Sequence, residues 1–598
     1  MVFTPEAAFT TRPTLTGTFG MAASTHWTAT ATAQAVLERG GNAFDAAVAG
    51  AFVLHVVEPH LNGPGGDLVA LIHPTDADSP RVLMGQGPAP TAASIAHMRA
   101  EGLDLVPGAG ALAAAVPGAV DAWLLLLRDH GTWELGDVLA FAIGYARDGH
   151  PLVAGAAATI ARVADLFRDA WPSSAALWLP GGTVPAPGAM ITNPAYAEVL
   201  HELVRASGAT PGDGPSGRVA RIDAARREWK SGRVARTLAA FAARPHRHSD
   251  GRDHAGVLTA EDIAAFDAEY ERPIVSSFRG HEIVKAGAWT QGPALLSVLG
   301  MLEPLEDSLL DPSQEAGAHR ILEAQKLAYA DRDAWFGDTD VDVEALLSPD
   351  YLQQRRDLIG DTASLELRPG SLGGRTPILP PVRTGAPGSA AGTGEPTVDR
   401  TGHTRGDTCH IDVVDRWGNI VSATPSGGWL QSSPTVPEVG FCLGTRLQMT
   451  WLEPGRPSSL APARRPRTTL TPTLVLRGGR TVMALGSPGG DQQDQWQLLV
   501  LLRTLVGGYS PQGAIDAPAL HTTAVTDSFW PRTWSPGGAV VEDRLGDRVI
   551  DGLVTRGHRV TRAGDWALGR VSAVGRHDDG VLWAAANPRG MQGYASGR

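Results

Sequence analysis

Gly406-Asp407-Thr408-Cys409-His410-Ile411-Asp412-Val413-Val414-Asp415 is the stretch whose reading decides the fold. Upstream, residues 368–405 are rich in Gly, Pro, Ser and Thr and hold little that could form a core, so they read as a flexible linker. From His410 the chain reads as a buried strand carrying Val413 and Val414. An Arg416-Trp417-Gly418-Asn419 turn and a second strand, Ile420-Val421-Ser422-Ala423-Thr424, follow. A hydroxyl residue therefore stands where a tail meets the first strand of a hairpin. The sharp reading is self-cleavage between Asp407 and Thr408, with Thr408 freed as the catalytic nucleophile. Threonine is a weak nucleophile without an adjacent base, and a freed α-amino group, with a pKa of about 8, can be that base. The same residues also fit a surface turn entering a hairpin.

Outward from this point, 598 residues are too many for one small core and imply several domains or one large layered unit. A composition of 43% hydrophobic and 19% charged residues describes a soluble globular chain, and a net charge of −12 argues against a general nucleic-acid binder. Two cysteines, Cys409 and Cys442, are too few for a disulfide framework and suit a reducing compartment. The N-terminus lacks a basic region followed by an apolar core, and no run approaches the ~20 apolar residues that cross a membrane. The apolar stretch over residues 119–127 is short, is interrupted by Asp121 and reads as a core helix. A cytoplasmic protein without membrane or nucleic-acid partners is expected.

Residues 28–39 form an Ala-rich helix stopped by Gly40-Gly41, and residues 42–57 a helix apolar on nearly every face, hence buried between layers. A glycine-rich loop, Glu58 to Asp67, leads into a strand over 68–72; it lacks the Gly-Lys-Ser/Thr ending of a phosphate loop. Further helices are expected over 115–128, 135–148, 193–207, 294–302, 319–336 and 348–358, with another opened by the cap Thr259-Ala260-Glu261-Asp262. Residues 207–218 read as polar and irregular. His246, His248, Asp250, Asp253 and His254 could suggest a metal cluster, but with no ligand spacing tied to an element they read as a solvated loop. Strands are expected near 282–284, over 440–451 and over 473–485. Then Gly486-Ser487-Pro488-Gly489-Gly490-Asp491 leads into a helix reaching Leu502. Glycines between a strand and a helix start present backbone N–H groups suited to an anion or oxyanion, though ordinary turn chemistry explains them equally well.

Taken in order, these segments resemble the gamma-glutamyltranspeptidase family of N-terminal nucleophile hydrolases. The matching blocks include Gly40-Gly41-Asn42-Ala43-Phe44-Asp45, Val57-Glu58-Pro59-His60, Gly63-Pro64-Gly65-Gly66, Tyr329-Ala330-Asp331-Arg332, Thr408 with His410, and Gly486-Ser487-Pro488-Gly489-Gly490. The resemblance implies an α/β (α+β) fold, a four-layer αββα sandwich built from two cleavage products, residues 1–407 and 408–598, which stay associated. By resemblance, Thr408 matches the nucleophile, Ser426 a second hydroxyl that contacts it, Gly489 and Gly490 the oxyanion glycines, and Thr468 and Thr469 a hydroxyl pair bordering the substrate carboxylate.

The departures bear on substrate. Gln86 stands where family members hold a γ-glutamyl carboxylate with arginine, and a neutral amide cannot supply that bidentate pairing. Gly428 replaces an asparagine, Met449 stands where an amine-binding aspartate is expected, and Arg446 adds a cation. Losing both charged partners of an amino-acid zwitterion costs several kcal/mol, at roughly 1.5–3 for each charged hydrogen bond. The leading expectation is an acylase or amide hydrolase for a small acylated amide, with an anionic acyl group paired to Arg446. True γ-glutamyl transfer or glutathione hydrolysis, and an unprocessed binding protein, are the competing readings. The resemblance implies no cofactor or metal.

Overall fold

A computed structural model describes residues 3–384 and 408–598. Asp407, half of the expected cleavage site, lies outside the described residues, as does most of the expected linker. The described part of that linker is tied down: Gly370 N donates to Asp331 Oδ1 (2.6 Å) and Leu372 is buried in a core.

Two seven-stranded antiparallel sheets stack face to face. One runs Leu15–Gly17, Leu582–Ala586, Ser572–Arg576, Arg480–Gly486, Thr473–Arg477, His281–Lys285, Ile274–Phe278. The other runs Tyr594–Gly597, Gly20–Ser24, Ile411–Asp415, Ile420–Ser426, Asp67–His73, Arg81–Gly85, Glu269–Glu271. Helices Trp27–Glu38, Ala43–Val57 and Ala119–His130 cover the second sheet, while Gly292–Leu302 and Gln493–Leu505, backed by Glu315–Trp335, cover the first. This is the αββα sandwich, with apolar cores on both sides of the first sheet.

Local chemistry explains the well-read elements. Asn42 caps Ala43–Val57 by accepting from Phe44 N and Asp45 N, and Asp45 returns the bond to Asn42 N. Every residue of that helix is buried, as its uniform apolarity requires. Among the described residues no helix is long and apolar enough to cross a membrane.

Three expectations are corrected. Residues 440–451 form a wrapped loop with a 3-10 turn, Arg446–Met449, because their backbone bonds to other loops (Gly444 N to Gly65 O, 2.9 Å; Trp451 N to Ser458 O, 3.0 Å). The polar region 207–218 contains the start of helix Gly214–Ser231, whose apolar face packs Ile222, Ala225 and Trp229 inward. The histidine-rich block is a hairpin, Pro245–Arg247 with Asp253–Ala255, exposed at Pro245 and from Gly251 to Asp253 but not at its histidines: His254 is buried between Glu101 (2.7 Å) and Asp250 (3.0 Å), and buried His248 accepts from Leu112 N (2.9 Å).

Candidate active site

Strand pairing sets two hydroxyls side by side. Cys409 N donates to Pro425 O (3.0 Å), and Thr408 forms an antiparallel bridge with Ser426, so Thr408 Oγ1 and Ser426 Oγ lie 3.3 Å apart. Thr408 Oγ1 also reaches the carbonyl of Gly489 (3.4 Å), and both hydroxyl residues are buried. The sequence-read residues Thr408, Ser426 and Gly489 therefore meet at one point.

The loop that carries Gly489 is fixed from several directions. Gly489 has φ +118°, and the Gln493 side-chain amide holds its carbonyl. A Cβ on Gly486 would lie 2.1 Å from the His410 ring, so the loop can press on the nucleophile strand only with glycine there. His410 Nδ1 is itself 3.0 Å from Thr424 Oγ1. Gly490 lies under Phe529, and its carbonyl accepts from Gln291 Nε2 (3.3 Å). Asp491 accepts from Arg332, from Ser528 N (2.8 Å) and from Ser528 Oγ (2.5 Å); its carbonyl takes the Tyr329 hydroxyl (2.6 Å). Tyr329 and Arg332 carried no role in the sequence reading. Their signal was a charged residue in a helix over the core, Glu315–Trp335, where Arg332 is fully buried.

Arg446 requires a correction. Its guanidinium is not held ready for an anionic acyl group: Nε and Nη2 donate to Asp67 Oδ2 (2.5 Å) and Oδ1 (2.7 Å). The sheet register places Asp67 opposite Ser426, and the loop after Phe441 docks there through Gly444. Burial pushes the Asp67 carboxyl up, against the pull of Arg446. Gln86 is fully buried, donates to Gly87 O (3.2 Å), and with Asp67, Arg446, Gly66 and Gly427 lines a cavity of about 10 Å³. That holds about one water. Met449 packs with Trp429 and Phe529 in a separate apolar cluster, and Arg446 lies over the Trp429 ring (5.7 Å).

Thr468 donates its N–H to Trp289 O (2.9 Å) and its Oγ1 accepts from Leu470 N (3.3 Å). Thr469 Oγ1 is buried with no hydrogen-bond partner among the described residues. Cys409 sits in the main core, as a small apolar side chain would, but its thiol also donates to Glu58 Oε2 (3.1 Å). Glu58 takes the Thr25 hydroxyl as well (2.5 Å), and burial pushes its carboxyl up to about 7.

Among the described residues, His319, Glu323 and His558 come close enough to share a metal ion. Glu323 is already held by Lys326 (2.6 Å) and Arg368 (3.0 Å), which leaves little negative charge for a divalent cation. His319 and His558 instead face each other at 2.9 Å.

The gamma-glutamyltranspeptidase family model matches residues 29–597. The oxamate amidohydrolase proenzyme of Klebsiella pneumoniae is 31% identical, over 97% of this chain and 98% of that protein. The solved structure of LmbA2991HD is 52% identical with a TM-score of 0.92, covering 99% of this chain and all of that one. Cephalosporin acylase from Bacillus halodurans is 26% identical with a TM-score of 0.80, covering 100% of this chain and 99% of that one.

Proposed function

This chain belongs to the gamma-glutamyltranspeptidase family, and from that premise we propose that it is a self-processing amide hydrolase working through an acyl-enzyme on Thr408. The observation that carries the reading is the meeting of Thr408 Oγ1, Ser426 Oγ and the Gly489 loop at a buried strand end. Cleavage at Asp407–Thr408 would yield chains of residues 1–407 and 408–598 that remain together, and would free the Thr408 amine.

In the catalytic cycle that amine takes the Oγ1 proton as Oγ1 bonds the substrate carbonyl carbon. The carbonyl electron pair moves onto oxygen, opposite the Gly489-Gly490 backbone. Collapse breaks the C–N bond, the proton leaves with the amine, and water then repeats the sequence to release the acid. Ser426 orients the nucleophile through its hydroxyl contact.

The substrate we assign is a small acylated amide whose acyl group carries no amino-acid zwitterion. The Asp67–Arg446 pair neutralises the Arg446 cation beside Ser426, Gln86 supplies no charge, and the space around them is near one water in size. Thr468 and Thr469 would border the acyl group. Oxamate-sized amides and N-acyl amines of the kind named by its relatives form the test panel, with a γ-glutamyl anilide as the competing substrate. Intact-mass measurement should show two chains for the wild type and one for Thr408→Ala, and the panel should acylate only the former. A single uncleaved wild-type chain without activity would support a binding protein instead, and glutamate release at ordinary efficiency would support γ-glutamyl transfer.

A further inference from the structure

We propose that Arg467 is a positioning residue that sets the electrostatic potential behind the Gly489-Gly490 loop; this rests on the amide-hydrolase reading of Thr408. Three arginines, Arg332, Arg467 and Arg532, are buried close to one another, and two carboxylates, Asp333 and Asp491, interact with them. Arg467 Nη2 donates to Ser528 Oγ (2.7 Å), and that hydroxyl donates to Asp491 Oδ1 (2.5 Å), one residue past Gly490. Arg332 binds both Asp491 and Asp333 (3.0 Å), while Arg532 donates to Thr450 O (2.8 Å) and lies 3.5 Å over the Trp451 ring. The nearby Lys285–Asp494 pair (2.8 Å) is internally balanced, and Tyr329 is neutral because burial raises its hydroxyl.

Among these five described groups one guanidinium is in excess. Burial first, and then the neighbouring guanidiniums, bring Arg467 down to about 10 and Arg532 to about 9, values at which both remain charged near neutrality. A buried uncompensated cation costs stability and is kept only where something repays it. The negative charge that forms on the substrate oxygen beside Gly489-Gly490 is such a repayment, because it exists only in the transition state and interacts with a fixed, poorly screened charge. Arg467 does not touch substrate; it acts through Ser528, Asp491 and the loop.

The experiment compares Arg467→Met, which keeps the volume and removes the charge, with Arg467→Lys, which keeps the charge. On an amide accepted by the wild type, Arg467→Met should lower kcat about 10- to 100-fold with KM within twofold, and Arg467→Lys should recover about tenfold of that loss. Unchanged kcat in Arg467→Met, equal loss in both variants, or a rise confined to KM would overturn the proposal, the last by making Arg467 a substrate-anion site. Thermal unfolding in the uncleavable Thr408→Ala background needs no activity. There Arg467→Met should leave Tm unchanged or raise it, since Arg332 and Arg532 then balance Asp333 and Asp491. A fall of several degrees would make Arg467 a structural partner of Asp491 and sink the idea. Absence of cleavage and activity in the wild type would fail the Thr408 reading instead, with the Tm comparison still deciding on the excess charge.

Discussion

Arg446 and Asp67 lie 379 positions apart in sequence and share a bidentate ion pair beside Ser426. Removing one partner leaves the other buried and uncompensated, which costs about 3–5 kcal/mol, whereas removing both is far milder. Arg446→Met should therefore lower the urea midpoint of the Thr408→Ala precursor sharply, and Asp67→Asn with Arg446→Met should regain most of it. Equal destabilisation in single and double variants would count against a paired charge. The sequence displayed Arg446 as a cation near the site but could not display its partner. Asp67 is an ordinary acid at the end of a glycine loop until the sheet register sets it opposite Ser426. Thr408 and Gly489 were legible because they stood in blocks that carry the resemblance, and Ser426 through its position relative to them. Arg332 stood in such a block too, but its role was not legible, nor was that of Ser528, because their work is to hold Asp491 across long sequence distances.

At the scale of elements, the hairpin Ile411–Asp415 with Ile420–Ser426 and the loop after Gly486 act as one device. Gly486→Ala drives a methyl into the His410 ring, a backbone-anchored clash that costs about 1–3 kcal/mol and should slow both cleavage and turnover. Chromatography of cleavage products and a denaturation curve read cleavage and stability separately; a Gly486→Ala protein that cleaves and unfolds like the wild type would show that the ring can move aside. Helices with caps and strongly apolar faces, such as Ala43–Val57, were readable from local pattern. The loop over 440–451 was not: its alternating apolar residues suggest a strand, but Cys442, Leu443, Leu447 and Met449 are buried in different places around the site rather than on one sheet face.

Across the whole molecule, acidification is the main threat to the fold. Burial holds His26, His55, His60, His521 and His558 down to about 3, so each stays neutral in the fold while the unfolded chain takes up a proton below 6.5. Their contribution is intact above about pH 6.5 and is lost as pH falls toward 3. Glu58 has the opposite sign. Raised from 4.5 to about 7, it is protonated in the fold, so its contribution is present below 4.5 and is lost as pH rises through 7, by at most about 3 kcal/mol. The urea midpoint of the precursor should fall steadily below pH 6.5. Glu58→Gln should gain on the unsubstituted precursor between about pH 5 and pH 8, and a constant difference across that range would show that Glu58 is ionised throughout.

The order of strands in the second sheet has one further meaning. Gly20–Ser24 lies between Tyr594–Gly597 and Ile411–Asp415, and Asp67–His73 pairs with Ile420–Ser426, so strands from either side of residue 408 interleave in the same sheet. Neither product could be lifted away without exposing raw sheet edges along its length. Produced separately, the two pieces should be insoluble, and produced together they should copurify. A break in the chain here alters where it ends without altering which strands are neighbours, so the molecule can gain a new terminus in its interior while its architecture registers no separation at all.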